Sequence, residues 1–163
     1  MFCFVRLPSL HWFGPVAVAL MATILVSGCS RAPRKATTTL SSEDRAVLTQ
    51  YEAVRAALAH DDLRRARLAG EKLLKAVEAT GVSPAVAKTK LTAKALAESF
   101  RIDVSRSAFK EISTALIPLC EGTEGFYVVS STLVSDGNWI QTTTVIDNPY
   151  LGRAMATHGE IKR

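Results

Sequence analysis

Cysteine is scarce in this chain, and its scarcity excludes several classes of protein. The 163 residues include three cysteines, Cys3, Cys29 and Cys120, which are too few for the disulfide framework of a small secreted domain. No two of them form a CxxC pair, which excludes zinc-ribbon and thioredoxin-type sites. We therefore expect a single globular domain that is held together by a hydrophobic core.

The motifs of common enzymes and of nucleic-acid-binding proteins are also missing. The sequence has no P-loop, no HExxH and no GxSxG motif. His60 and His158 lack the spacing of a catalytic triad or a metal site. In the basic segment 64–75, Arg65 and Lys75 each follow an acidic residue by four positions, Asp61 and Glu71, and no aromatic residue lies between the basic residues, which is typical of a solvated helix face. We expect a binding protein, with neither catalysis nor a nucleic-acid partner.

Charge is almost absent from the N-terminal segment. Arg6 is the one charged residue before Cys29, and an apolar run follows it from Trp12 to Val26. The run is shorter than the roughly 18–20 residues that span a bilayer, and it fits the apolar region of a secretory signal peptide. The sequence Leu-Val-Ser-Gly-Cys that ends at Cys29 resembles a bacterial lipobox.

The lipobox resemblance implies three segments. Residues 1–28 form a signal peptide that is removed, and Cys29 becomes the acylated first residue of a membrane-anchored protein. Residues 29–42 form a flexible tether, and residues 43–163 form a single folded domain. Ser30 stands where an aspartate signals retention in the inner membrane, which implies an outer-membrane lipoprotein that faces the periplasm.

The residues after the tether have the periodicity of amphipathic helices. The first helix begins with Ser41 or Ser42 as its N-cap and has one apolar face, formed by Val47, Tyr51, Val54 and Leu58. Asp61 is the expected cap of the second helix, and it is placed to pair with Arg65 at i, i+4. Gly81 is the expected C-terminal stop of that helix.

Two further helices follow, the third beginning with Ser83 as N-cap and Pro84 in the first position. The apolar face of the third helix comprises Ala93, Leu96, Ala97 and Phe100. A break at residues 102–103 separates it from the fourth helix, which is expected over residues 104–119. Four helices with short connections predict an antiparallel bundle.

The character of the sequence changes to β-prone after Cys120. Residues 126–129 and 139–146 are predicted strands, and the Asp136-Gly137-Asn138 sequence between them has the composition of a hairpin turn. The tail from Met155 onward has no clear period. The predicted fold is therefore mainly α, a four-helix bundle with a small C-terminal β-hairpin and an irregular tail.

The C-terminal third concentrates residues with fixed geometry or with metal-donor atoms. Packing and backbone roles are expected for Trp139, Asn148, Pro149, Tyr150, Gly152 and Gly159. Met155 and His158 provide one soft and one borderline metal donor. Two interpretations are open: the cluster caps one end of the bundle, or it contributes to a metal site.

The stretch 50–163 resembles the domain-of-unknown-function family DUF3347. The matching pieces are residues 56–63, 106–109, 112–113, 137–140 and 148–152, together with Met155 and residues 159–160. Such domains occur in periplasmic proteins and lipoproteins and at the C-terminus of heavy-metal efflux adaptor proteins. The resemblance implies a helical domain in a metal-related, often copper-related, context.

The chain departs from that family at its usual metal donors. Ser131-Thr132-Leu133 replaces a Cys-Pro-Met sequence, and His158 replaces a cysteine before the final Gly-Glu. Two hypotheses follow. One is a scaffold without metal that binds an envelope or efflux protein, and the other is a weaker copper or soft-metal site that includes Met155, His158 and a distant donor such as Cys120 or His60. Cys120 is otherwise expected to be a small buried hydrophobic residue.

Overall fold

The computed structural model describes residues 39–80 and 84–162. Four helices are followed by three short strands. The helices are α1 (Ser42–Ala59), α2 (Leu63–Ala79), α3 (Pro84–Glu98) and α4 (Ile102–Cys120). The strands are β1 (Tyr127–Ser130), β2 (Asn138–Gln141) and β3 (Glu160–Ile161), and a 3₁₀ turn (Arg153–Met155) lies between the last two. The predicted signal peptide, Cys29, Gly81 and Ser83 lie outside the described residues.

The helices pack consecutively, α1 on α2, α2 on α3 and α3 on α4. Their buried faces form one core, and its members with no exposed surface include Val47, Val54, Leu58, Leu73, Leu96, Phe109, Ile112 and Leu116. A Cβ at Gly70 would lie 2.6 Å from Leu96 Cδ2 and 3.3 Å from the backbone of Ala97, so glycine permits α2 and α3 to approach closely. The predicted helical bundle is confirmed.

The N-cap of α1 lies where the sequence predicts it, and the N-cap of α2 lies one residue later than predicted. The Ser41 hydroxyl accepts the backbone N–H of Asp44 at 3.0 Å, so Ser41 is the N-cap of α1. The prediction of Asp61 as the cap of α2 is wrong, because the Asp62 carboxylate accepts the backbone N–H of Arg65 at 2.9 Å. Asp62 also takes the predicted place of Asp61 in the ion pair with Arg65, at 3.3 Å.

The break between α3 and α4 lies earlier than the sequence pattern indicated. The break expected at residues 102–103 is wrong, because α4 already begins at Ile102. The turn is instead made by Ser99, whose hydroxyl donates to the carbonyl of Arg101 at 2.9 Å. Phe100 therefore leaves the helix, and the prediction that it belongs to the apolar face of α3 is wrong. Its side chain is 80% exposed and lies against the Arg67 guanidinium, 4.6 Å from the ring centroid.

The sheet is antiparallel with strand order β2-β1-β3. Val129 faces Trp139 in the register of β1 with β2, and Val129 also faces Ile161 of β3. The predicted hairpin is present, and β3 gives part of the predicted irregular tail a place at its edge. The expected strand over 139–146 is wrong beyond Gln141, because the Gln141 side-chain amide donates to the carbonyls of Thr143 and Val145 and folds the chain back.

The packed core begins before the first residue of α1. Leu40, which precedes the N-cap of α1, is 8% exposed and belongs to the core cluster, so core packing begins within the segment expected to be a tether.

Among residues 39–80 and 84–162, no helix combines the length and the apolar character needed to cross a membrane.

Candidate functional site: the C-terminal segment on helices α1 and α4

Aromatic rings join the C-terminal segment to α1 and α4. Tyr51 of α1 stacks on Phe109 of α4, with ring centroids 4.7 Å apart. Tyr150 lies 6.0 Å from Phe109, and Trp139 of β2 meets Tyr150 edge-on at 6.0 Å. Tyr51, Phe109 and Trp139 are almost fully buried, and such ring pairs stabilise beyond the area that they bury. The segment therefore fills the space between two helices that have few direct contacts with each other.

The hydroxyl groups inside this aromatic cluster all form hydrogen bonds within the protein. The Tyr51 hydroxyl and the Ser113 hydroxyl are 2.7 Å apart, and the Tyr51 oxygen also accepts the backbone N–H of Ile140 at 3.1 Å. The Tyr150 hydroxyl donates to the carbonyl of Asn138 at 2.7 Å. Burial raises the pKa of both tyrosines well above the ordinary value. They stay neutral and act as packing groups with a hydrogen-bonding end.

Asn148 sets the path of the chain in front of Tyr150. Its side-chain oxygen accepts the backbone N–H of Tyr150 at 2.8 Å, and its side-chain amide donates to the carbonyl of His158 at 2.6 Å. Its backbone N–H donates to the carbonyl of Ala156 at 2.6 Å. Asn148 is fully buried, so the side chain and the backbone of one residue hold the turn, the end of the 3₁₀ segment and the chain before β3 together.

A carboxylate at the end of α1 receives the next turn. Asp61 accepts the backbone N–H of Arg153 at 2.9 Å and the Arg106 guanidinium at 2.7 Å. These two donors, the backbone N–H first, hold the pKa of Asp61 below its ordinary value. A Cβ at Gly152 would lie 2.5 Å from Asp61 Oδ1, and the φ of Gly152 is +74°. Glycine is therefore required by both backbone angle and space.

Two arginines complete the attachment. Arg55 of α1 is 6% exposed and forms ion pairs with Glu52 at 2.8 Å and with Asp147 at 3.0 Å. Arg106 of α4 donates to the carbonyls of Pro149 at 2.9 Å and Leu58 at 3.0 Å. Each guanidinium connects a helix to the loop around Pro149. The guanidinium of Arg55 is buried, and a buried charge of this kind is stable only when such partners are in place.

Gly159 allows the tail to cross the indole of Trp139. A Cβ at Gly159 would lie 2.7 Å from Trp139 Cη2 and 3.2 Å from the carbonyl oxygen of Ser130. Trp139 donates its ring N–H to the Gln141 side chain at 2.9 Å. All six residues expected in packing and backbone roles, Trp139, Asn148, Pro149, Tyr150, Gly152 and Gly159, thus lie in this one region.

The candidate metal donors lie at its outer edge. The backbone N–H of His158 donates to the carbonyl of Met155 at 3.1 Å, so the two residues share one turn. Met155 is 37% exposed and His158 is exposed. His60 is exposed too, and its ring Nδ1 lies 2.8 Å from the carbonyl of Ala56.

The residues present do not fit a closed site for copper or another soft metal. In the described part of the chain, no three histidine, cysteine, aspartate or glutamate side chains come together as a metal-binding group. The Ser131 hydroxyl accepts the backbone N–H groups of Leu133 and Val134, at 3.3 and 3.1 Å. Ser131, which stands where the resemblance implies a cysteine, therefore stabilises a turn. Serine and threonine hydroxyls are poor ligands for soft metals.

Cys120 lies at the end of α4 and is 2% exposed. Burial and the nearby Asp44 raise the pKa of its thiol to about 12. The protonated form is therefore held at neutral pH, whereas metals bind the thiolate. The expectation that Cys120 is a buried hydrophobic residue is confirmed.

Several residues of this region were not found from the sequence. Arg55, Ser113, Gln141 and Asp147 each hold the C-terminal segment in place. One signal was available for Arg55, because it lies four residues after Tyr51 and so falls beside the apolar stripe of α1, where a charge needs a buried partner. The partner Asp147 lies 92 residues further along the chain, a separation over which no local pattern operates.

A comparison with protein families identifies the helical part of the chain. Residues 47–126 match the family described as Protein of unknown function (DUF3347). The match covers nearly all of the four helices, whereas the closing motif around Pro149 lies beyond it. No curated protein and no solved structure matches the chain. The match supports the resemblance inferred from the sequence over residues 47–126.

Proposed function

We propose that the protein is a lipid-anchored module of the bacterial cell envelope that acts by binding a protein partner. The observation that carries the anchoring is the lipobox-like sequence that ends at Cys29 after an uncharged apolar run. A chain with several acyl groups stays on its membrane. The module faces the periplasm from the outer membrane and holds an envelope or efflux assembly.

A binding role is supported by how the polar groups of the C-terminal region are used. Asn148, Tyr51, Tyr150 and Arg55 are bonded to other groups of the chain. Their hydrogen bonds and ion pairs are directed at the path of the C-terminal segment. An arrangement of this kind stiffens a scaffold, and a stiff scaffold binds a partner with little loss of conformational entropy.

Metabolic labelling tests the anchor. Cells that produce the full chain are grown with a labelled palmitate analogue, and the protein is recovered from membrane fractions. We expect label and membrane association for the native chain and neither for Cys29→Ala. The matched control is Cys120→Ala, which leaves the lipobox intact and is expected to keep the label. Equal labelling of the native chain and Cys29→Ala would contradict the proposal.

Crosslinking in intact envelopes tests the partner. A membrane-permeable amine-reactive crosslinker reaches the exposed lysines of the domain, and adducts are identified by mass spectrometry. We expect one discrete envelope or efflux protein to dominate the adducts under mild conditions. Recovery of the free monomer alone would count against a partner.

A second candidate function, soft-metal binding, is favoured by the exposed turn that carries Met155 and His158 together. Two donors on one turn suit weak, exchangeable contact with copper in a heavy-metal efflux context. The test is Cu(I) or Ag(I) titration of the full chain in detergent under reducing conditions. We expect the Met155→Ala, His158→Ala double variant to lose the binding if this pair is a site. Equal titration curves for the native chain and the double variant would show that Met155 and His158 do not bind the metal.

A further inference from the structure

The outward side of α2 is a row of cations around one exposed leucine. Leu68 is 47% exposed. Arg64 lies four residues before it, Lys72 four residues after it and Lys75 seven residues after it, and all three are exposed. Residues at these spacings share one side of a helix. We call Arg64, Leu68, Lys72 and Lys75 the α2 basic face.

The cations of this face lack the carboxylate partners that other cations have. Ion pairs are formed by Arg55, Lys90, Lys94, Arg101 and Arg106. Of the described carboxylates, none lies within ion-pair distance of Arg64, Lys72 or Lys75.

The carboxylates on α2 and its cap do not neutralise the face. Asp62 is bound to Arg65 at 3.3 Å, and Glu78 is bound to Lys90 of α3 at 3.2 Å. Glu71 lies on the same side of the helix and is exposed. Three cations stand against this one carboxylate, so the face keeps a net positive charge that is available to an external anion.

A second exposed apolar group borders the face. The ring of Phe100 is 80% exposed and lies against Arg67. One shallow groove is lined by residues of α2 alone: Leu63, Arg64, Arg67, Leu68 and Glu71. Exposed apolar side chains between unpaired cations are typical of surfaces that rest on anionic lipid headgroups.

The covalent anchor limits how far this face is from a membrane. Nine residues lie between Cys29 and Thr39, and the ten steps from one Cα to the next span at most about 36 Å. Such a tether makes membrane contact an intramolecular event with a high effective concentration. This favours a lipid surface over an acidic protein as the occupant of the face.

We propose that the α2 basic face docks on the anionic headgroups of the membrane that holds Cys29. The proposal rests on the lipid anchoring proposed above. Docking fixes the orientation of the domain on the membrane and leaves the surfaces away from the α2 basic face open to partners. It weakens with salt, because the attraction falls off within a Debye length of about 10 Å at 0.1 M ionic strength.

The test uses the full lipidated chain reconstituted into vesicles. A polarity-sensitive fluorophore is attached to Leu68→Cys, and the matched control carries it at Leu91→Cys on α3, where the native side chain is 80% exposed. Cys120 is buried, so it does not compete for the reagent. Vesicles of phosphatidylcholine are compared with vesicles that also contain phosphatidylglycerol.

We expect a blue shift at position 68 in anionic vesicles only, its loss in high salt, and no shift at position 91. Replacing Arg64, Lys72 and Lys75 by glutamine is expected to lower the ratio of docked to undocked chain on the order of a hundredfold, about fivefold for each cation. The same emission from position 68 in both vesicle types would overturn the proposal, as would equal shifts at positions 68 and 91.

Sedimentation of the same samples separates this proposal from the anchor. If the protein fails to sediment with neutral vesicles, lipid anchoring is wrong and docking falls with it. If the protein sediments but position 68 stays in water, the anchor stands and docking is wrong. A label at position 68 that stays in water on anionic vesicles but crosslinks to a protein in intact envelopes assigns the face to an acidic partner and likewise overturns membrane docking.

Discussion

Two residues determine where the C-terminal segment attaches: Asp61, just after the end of α1, and Gly152 in the segment itself. Gly152 has a φ of +74° and approaches Asp61 so closely that a Cβ would lie 2.5 Å from a carboxylate oxygen. Asp61 itself has a φ of +58°, a left-handed conformation that aspartate and asparagine tolerate better than other residues with side chains. The attachment therefore depends on two backbone positions that composition alone does not reveal.

Gly152→Ala is expected to destabilise the protein, because it adds a steric conflict with Asp61 to the strain of a positive φ. We expect a loss of about 2–4 kcal/mol in the free energy of unfolding, measured by urea denaturation. Gly122→Ala is the matched control, since Gly122 has a φ of +77° and a Cβ there would meet no atom within 4 Å. It should cost about 1 kcal/mol. Equal losses of stability in the two variants would show that the steric contact between the new Cβ and Asp61 does not destabilise the protein.

Asp61→Asn tests the charge without changing the backbone preference. The pKa of Asp61 is lowered in the fold by the N–H of Arg153 and by Arg106. Its contribution is therefore present above the unfolded pKa of about 4 and is lost as the pH falls through the lower folded pKa. We expect the native chain to exceed Asp61→Asn in urea midpoint at pH 7 and the difference to shrink near pH 3. A difference independent of pH would contradict this role of the charge.

The helices were predictable as elements because their signals are local. The apolar stripe of α1 and the cap at Ser41 lie within a few residues of each other, and the structure has both. The strand expected over 139–146 was too long, because the side chain of Gln141 bonds to carbonyls two and four residues ahead. Threonine-rich sequence favours strands, but the buried amide of Gln141 overrides that preference.

The attachment of the C-terminal segment was not predictable, because its partners are far apart in sequence. Arg55 meets Asp147, and Arg106 meets Asp61. Separations of this size leave no periodic pattern in the chain. The small residues Gly152 and Gly159 indicated a constrained backbone in this region, but they did not indicate which surface it meets.

The contact between α2 and α3 depends on Gly70. Alanine at a helical position ordinarily stabilises by about 1 kcal/mol relative to glycine, but a Cβ at Gly70 would lie 2.6 Å from Leu96 Cδ2. Leu96 is fully buried, and the backbone of Ala97 lies 3.3 Å from the same Cβ position. We expect Gly70→Ala to lower the free energy of unfolding by about 1–2 kcal/mol.

A double-mutant cycle identifies the cause of that loss. Leu96→Ala costs stability by itself through a cavity, but it removes the atom that Gly70→Ala would meet. The two substitutions should therefore cost less together than the sum of their separate effects. Additive losses in thermal or urea denaturation would show that the steric contact with Leu96 is not the reason.

At the scale of the whole molecule, the sheet and the bundle share one core. Trp139 of β2 and Tyr51 of α1 are both almost fully buried, and they belong to the same cluster as the residues of α2 and α3. The C-terminal segment and the helices are thus joined by one continuous apolar core. We therefore expect the domain that residues 39–80 and 84–162 describe to unfold in a single step, as most small domains do.

Two optical probes test this cooperativity. Trp139 reports on the sheet by fluorescence, since the other tryptophan, Trp12, lies in the segment expected to be removed, and circular dichroism reports on the helices. Both signals should change at the same urea concentration. Asn148→Ala leaves the carbonyl of His158 and the buried N–H of Tyr150 without their partner and should shift both transitions together, by about 2–3 kcal/mol. A fluorescence transition that precedes the helical one, in the native chain or in Asn148→Ala, would show that the C-terminal segment detaches while the bundle stays folded.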